Sequence, residues 1–168
     1  MTALYLHRDW WTRPAFVEKW EELPERTQCV YLKYKDRYGC LLLAAGKDAK
    51  TMAKGGKKGW LCLNLTAYRG GFSQIGEPLF FYAEGSTVYE AVHACATAAA
   101  EETCALTKER KAYPEVFEEL GWCSWDAFYT DISEDKVRAK AKELAEKEVP
   151  VRWMLLDDGW QSVREQRM

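Results

Sequence analysis

The sequence predicts an α+β chain built in parts: an antiparallel sheet over residues 1–85, a linker helix within 86–112, and a parallel β-α-β segment over 113–168. Three observations carry this. Thr27 to Lys35 alternates, setting Val30, Leu32 and Tyr34 against Tyr31, Lys33 and Lys35, the period of a half-buried antiparallel strand. Val88, Ala91, Val92, Cys95 and Ala99 fall on one stripe at helical spacing. Val151 to Leu156 is a nearly continuous apolar run, as a parallel strand covered on both sides has.

Taken in order, Asp36-Arg37-Tyr38-Gly39 predicts a hairpin turn and Cys40–Ala45 the short strand returning from it. The Lys- and Gly-rich stretch from Gly46 to Gly59 reads as a loop. A strand is expected around Trp60–Tyr68, broken by Gly70-Gly71, and another over Pro78–Ala83. These strands are few for a closed sandwich, so the sheet is expected to be part of a larger one. Thr87 and Glu90 have the spacing of a capping box, which starts a helix running to about Cys104. Lys108 to Lys111 and Pro114 then lead away as a linker. After a strand at Leu120–Asp126, Ser133 is the expected N-cap of a second helix, with Glu134 and Asp135 on its positive end. Val137, Ala141 and Leu144 mark the face expected to be buried, and Pro150 stops the helix before the last strand.

The 168 residues suffice for one ordinary domain or pieces of two. With 48% hydrophobic residues, eight Trp and nine Tyr, the chain supports a packed core and is not extensively disordered. A net charge of −2 argues against a nucleic-acid partner and against an anionic membrane surface, both of which favour a basic face. Tryptophan richness without basicity suits a neutral, polar ligand. Arg8, Asp9, Arg13, Glu18 and Lys19 interrupt any signal-peptide core, and no stretch approaches the roughly 18 apolar residues of a membrane span. The six cysteines lie scattered, with no C-x-x-C pair, which predicts a cytoplasmic chain with mostly buried free thiols rather than disulfides or a zinc site. The sequon Asn64-Leu65-Thr66 is read as chance.

Both strands of the β-α-β segment end in tryptophan and acid. The first reads Leu120-Gly121-Trp122-Cys123-Ser124-Trp125-Asp126; the second is followed at once by Asp157-Asp158-Gly159-Trp160. Flat rings cover the C–H face of a pyranose, and carboxylates accept hydrogen bonds from its hydroxyls. Ligands of parallel α/β sheets bind at the carboxyl ends of the strands, where Asp157 and Asp158 stand. Two adjacent carboxylates repel and are costly to bury, so packing alone does not account for them. A solvated turn bent by Gly159 is the plain alternative, and the flanking Trp125 and Trp160 weigh against it. Catalytic-pair and metal readings stay open, although His7 and His93, the only histidines, are remote.

Other motifs are weaker. Gly55-Gly56-Lys57-Lys58-Gly59 suggests a phosphate cradle but lacks the required spacing, and Lys47–Gly59 is expected to be a solvated hairpin loop. In His7-Arg8-Asp9-Trp10-Trp11, either one tryptophan lines a cleft or the pair packs on the sheet. Cys123 reads as a small buried thiol in preference to a nucleophile. Asp126 either caps its loop or meets a sugar hydroxyl.

The stretches LGWCSWDAFYTDIS and VRWMLLDDGWQSV, in this order and spacing, resemble family 36 of the glycoside hydrolases. The likeness is closest to its raffinose synthase and seed-imbibition-protein-like branch, beside the α-galactosidases. HRDWWTRPAF and LPERTQCVYLKYKDRYG extend it over most of the chain. The resemblance implies a β-sandwich ahead of a (β/α)8 TIM barrel that acts on α-galactosyl linkages with retention, without metal or organic cofactor. It implies that Asp157 and Asp158 hold galactose hydroxyls in the minus-one subsite, that Trp125 is its aromatic wall, and that Trp160, which matches the motif, is a further substrate-binding residue. None of these residues matches the nucleophile or the acid/base, which in the family come from the fourth and sixth barrel strands. A barrel takes about 250 residues, so only its first β-α-β fits after Leu120. The expectation is therefore a fragment of an α-galactosidase or galactosyl transferase, inactive alone. Its parallel strands are expected to expose apolar faces and to self-associate or meet a partner. A non-catalytic carbohydrate-binding module, or a subunit completed by a separate barrel chain, is the alternative.

Overall fold

A computed structural model describes residues 1–71 and 74–161 of the chain. The last two residues of the second motif, Ser162 and Val163, lie outside the described residues. The chain divides into two compact units, Met1–Lys111 and Ala112–Met168.

The first unit is a mostly antiparallel sheet. Strands β1 (Thr2–Arg8) and β2 (Trp11–Phe16) form an edge hairpin, and β1 also pairs with β3 (Thr27–Lys33). β3 pairs with β4 (Tyr38–Leu43), which pairs with β7 (Phe80–Gly85). A second hairpin, β5 (Ala49–Gly55) with β6 (Leu61–Ala67), joins β3 at the pair Thr27↔Ala53. Such a sheet is consistent with part of a β-sandwich.

β3 and β4 are buried from both sides, contrary to the half-buried expectation for Thr27–Lys35. On one face Val30, Leu32, Leu41 and Leu43 pack with Ala3, Leu23 and Ala53, against Leu61 and Leu63 of the β5–β6 hairpin. On the other, Cys29 and Cys40 pack with Ala91 and Cys95 of helix α1 (Val88–Glu102). The alternation along β3 thus separates two apolar cores instead of a core and a solvent face. Helix α1 packs on the sheet it follows: the Cys95 thiol donates to the Cys40 carbonyl at 3.0 Å. Its N-terminus is a capping box with a shifted return bond. Thr87 Oγ1 accepts from the Glu90 N–H at 3.2 Å, but the Glu90 carboxylate accepts from the N–H and hydroxyl of Ser86, one residue before the cap.

The Gly46–Gly59 loop reading is corrected by β5. Ala49, Thr51 and Ala53 point inward and are small, so the strand carries no large apolar residue to reveal its period. No anion is held at Gly55–Gly59 among the described residues; the carboxylate that backbone N–H groups of the Gly46–Gly59 stretch do hold lies at the start of β5. The Glu77 carboxylate accepts from the N–H groups of Lys47 at 2.6 Å, Asp48 at 3.0 Å and Ala49 at 3.3 Å. A Cβ on Gly46 would lie 2.4 Å from Glu77 Oε2, so glycine there admits the carboxylate.

At the β1–β2 turn Trp10 is 85% exposed, while Trp11 lies edge-on to His7 at 5.4 Å with Arg13 above its ring at 4.2 Å. Neither tryptophan is core. Three cysteines (Cys29, Cys40, Cys95) are buried free thiols, Cys62 is half-buried, and Cys104 and Cys123 are exposed.

The second unit is a β-α-β arrangement. β8 (Leu120–Cys123) and β9 (Val151–Leu155) run parallel, with Gly121↔Trp153, Trp122↔Met154 and Cys123↔Leu155 in register. Between them lie one helical turn, α2 (Trp125–Phe128), and the helix α3 (Glu134–Glu146). β8 is shorter than expected: Trp125 and Asp126 belong to the turn after it, not to the strand. Ser133 caps α3 as predicted, accepting from the Lys136 N–H at 3.4 Å. No residue of α3 is fully buried and Ala141 is exposed, so the expected buried face is covered only in part. β9 likewise is not enclosed, since Leu155 and the following Leu156 are each 46% exposed. Two strands and one long helix have too few partners to bury both sheet faces.

Candidate functional site

The carboxyl ends of β8 and β9 bring Cys123 and Ser124 against Asp157. Hydrogen bonding continues one step beyond the strands, where the Ser124 N–H donates to the Leu155 carbonyl at 3.0 Å. Ser124 Oγ then accepts the Asp157 N–H at 2.9 Å. Ser124 is 0% exposed, the one fully buried residue among the described residues of this unit. Nothing along the sequence pointed to it, because the bond that buries it is to a backbone N–H 33 residues away.

The two aspartates are not equivalent. Asp157 is half-buried: its Oδ2 accepts the Cys123 thiol at 3.4 Å and its Oδ1 accepts the Asp158 N–H at 2.7 Å. Asp158 is exposed, and its Oδ1 accepts the Gly159 N–H at 2.8 Å. Both carboxylates of the pair therefore bend the turn as the plain alternative supposed, but Asp158 Oδ2 takes no hydrogen bond among the described residues. Cys123 is exposed, which corrects the expectation of a buried thiol: the strand end leaves its side chain open beside Asp157.

Gly159 has φ +91°, a left-handed conformation that glycine tolerates best. A Cβ there would stand 2.5 Å from the Thr130 carbonyl oxygen, so the bare glycine lets the turn after β9 lie against the segment after α2. That segment carries Tyr129, held at φ 49° with its N–H donating to the Trp125 carbonyl at 2.7 Å. The Trp125 and Tyr129 rings meet edge to face at 5.4 Å. Trp125 is 38% exposed, enough to offer a ring face.

Trp160, 61% exposed, lies elsewhere. It lines a groove of about 460 Å³ with Leu156, Ile132, Ser133, Val137 and Arg138, at the start of α3. No hydrogen bond or ring contact joins Trp125 or Trp160 to Asp157 or Asp158 among the described residues. Asp126 takes no part in a hydrogen bond there either, so neither reading of it gains support. Among the described residues no group of three or more His, Cys, Asp or Glu is arranged to hold a metal ion.

Behind the site, Trp153 is fastened by its indole N–H to the carbonyls of Val116 at 2.8 Å and Glu119 at 3.2 Å. Its ring covers Gly121, where a Cβ would come within 2.1 Å of the indole. The two strands can pair at this register only because residue 121 has no side chain.

A family model described as raffinose synthase or seed imbibition protein Sip1 matches residues 2–168. The chain is 26% identical over 167 residues to a probable galactinol–sucrose galactosyltransferase 1 of Arabidopsis thaliana, covering 92% of the chain and 22% of that relative. It is 40% identical over 57 residues to a galactinol–sucrose galactosyltransferase of Pisum sativum, 34% of the chain and 7% of the relative. A stachyose synthase of Pisum sativum is 34% identical over 55 residues, 33% of the chain and 6% of the relative. The chain thus spans about a fifth of the length of the relative that it matches nearly end to end. With 167 of its 168 residues matched, the chain belongs to the raffinose synthase or seed imbibition protein family.

Proposed function

We propose that this chain supplies one wall of a galactose-binding subsite in a galactosyl-transferring or α-galactoside-hydrolysing enzyme. The observation that carries the reading is the exposed Asp158 carboxylate at the carboxyl end of a parallel strand, with Asp157 braced behind it. Asp158 Oδ2 accepts a sugar hydroxyl, and Trp125 covers the apolar face of the ring. Trp160, 61% exposed in its groove at the start of α3, is the further aromatic surface offered to the substrate. The names of the relatives point to galactinol and sucrose as the donor and acceptor class. β8, α3 and β9 are read as the opening of a (β/α)8 barrel, whose further strands would cover Leu120, Leu155 and Leu156.

The chain by itself is proposed to be catalytically inactive. A retaining mechanism needs two carboxyl groups about 5 Å apart, flanking the scissile bond. Asp157 and Asp158 are neighbours in sequence, and both oxygens of Asp157 are engaged within the protein. Titrating the purified chain with galactose and following tryptophan fluorescence tests the binding reading. A saturable change, lost in Asp158→Ala, supports it, and no change overturns it. Turnover of a chromogenic α-galactoside by the same preparation would overturn the claim of inactivity.

A further inference from the structure

We infer that Ser124 is a positioning residue for galactose binding: it fixes the backbone from which Asp157 and Asp158 project. The inference rests on the galactose-subsite reading above, and it concerns a residue to which no sugar contact is ascribed.

Ser124 stands at the N-cap of α2, where a serine hydroxyl ordinarily accepts an N–H from the first turn of its own helix. Here it makes no such bond. Its hydroxyl instead accepts the Asp157 N–H at 2.9 Å, while its own N–H donates to the Leu155 carbonyl at 3.0 Å. The two bonds bracket Leu156 and carry the β8–β9 pairing past the last register pair, Cys123↔Leu155. Without them the first acidic residue would follow a free strand end, next to a carboxylate that repels it.

The burial pattern points the same way. Among the described residues this unit packs no large side chain completely, yet it encloses a hydroxyl group completely. A buried hydroxyl is tolerated only when it is hydrogen-bonded, and its partner here is the amide of Asp157. The neighbouring Cys123 holds the other end of the same residue through the Asp157 carboxylate. Asp157 is thus held at backbone and side chain by consecutive residues of the adjacent strand end, and Asp158 inherits a fixed origin.

The test compares Ser124→Ala and Ser124→Thr in the full chain with two readouts, the amide hydrogen exchange of Asp157 and the galactose titration. Alanine is expected to speed exchange at Asp157 about tenfold while leaving Trp153 and Met154 unchanged, and to weaken galactose binding by about tenfold. Threonine keeps the hydroxyl and is expected to restore both. Unchanged Asp157 exchange in Ser124→Ala, failure of threonine to restore it, or faster exchange throughout β9 overturns the inference, the last by making Ser124 a packing residue only. Unaltered galactose affinity in a Ser124→Ala chain with fast Asp157 exchange overturns the positioning role alone. An unmutated chain with a protected Asp157 amide but no response to galactose overturns the subsite reading, and the positioning role with it.

Discussion

The thiol of Cys123 donates to Asp157 Oδ2 at 3.4 Å, linking the ends of two parallel strands across 34 residues of sequence. Because Cys123 is exposed, this link is open to reagents. Alkylation of Cys123 with iodoacetamide adds bulk against the Asp157 carboxylate and removes the donor. The expected outcome is weaker galactose-induced fluorescence change in proportion to labelling at Cys123, followed by mass spectrometry. Cys123→Ser keeps a donor and is expected to bind galactose normally after the same treatment.

The inequality of the two aspartates predicts an inequality of variants. Asp158→Ala removes the carboxylate that faces solvent, with its exposed bond to the Gly159 N–H, and is expected to abolish measurable galactose binding while lowering stability by less than about 1 kcal/mol. Asp157→Ala removes the acceptor of both the Cys123 thiol and the Asp158 N–H, and is expected to lower stability by about 1–3 kcal/mol as well as binding. Equal stability of the two variants in denaturant titrations would contradict the assignment.

Gly121 and Trp153 form a contact that a single methyl group destroys. Gly121→Ala drives a Cβ into the indole, which two carbonyls hold in place, and is expected to cost about 1–3 kcal/mol. Near-UV circular dichroism should lose part of its tryptophan signal in that variant. Trp153→Ala in the Gly121→Ala background should be less damaging than the sum of the two single changes, since they share one contact.

In the sheet unit, Glu77 holds the β4–β5 connection by accepting three successive backbone N–H groups. Glu77→Ala leaves those donors without their partner and is expected to destabilise the chain by about 1–3 kcal/mol. Gly46→Ala blocks the same seat by bulk and is expected to have a similar effect in thermal denaturation.

Alkaline titration tests the core under α1. Burial, with the neighbouring Cys29 adding to it, pushes the Tyr31 phenol up to about 12. The folded state favours the neutral phenol, so this contribution to stability is complete below about pH 10 and is lost as pH rises from there through about 12. Phenolate absorbance should show a late-titrating component that shrinks in Tyr31→Phe. Tyr82, pushed up chiefly by its hydrogen bond to Tyr34, also titrates late, so the decrement on Tyr31→Phe is the quantity to measure.

Much of this protein was legible along the chain because the governing interactions are local. The helix starts at Thr87 and Ser133 depend on residues three positions away, and the parallel character of β9 shows in five consecutive residues with little polar interruption. The acids at the end of β9 were legible for the same reason, as were the tryptophans that flank them. β5 was not, because Ala49, Thr51 and Ala53 are too small to mark a buried face; Ala53, for one, is core only through packing with the Leu61 and Leu63 side of the sheet. The second buried face of β3 was equally hidden, since it is covered by a helix some 60 residues later in sequence. Sequence alone therefore determined the family motif, the β-α-β order of the second unit and the candidate residues Asp157, Asp158, Trp125 and Trp160. Only the tertiary structure decided that Asp157 is braced by Cys123 and Ser124, that Asp158 faces outward, and that Trp160 lies in a groove at the start of α3. Motifs specify residue types at fixed spacing. Which oxygen is free to meet a sugar is settled by hydrogen bonds between strand ends that are adjacent in space and distant in sequence.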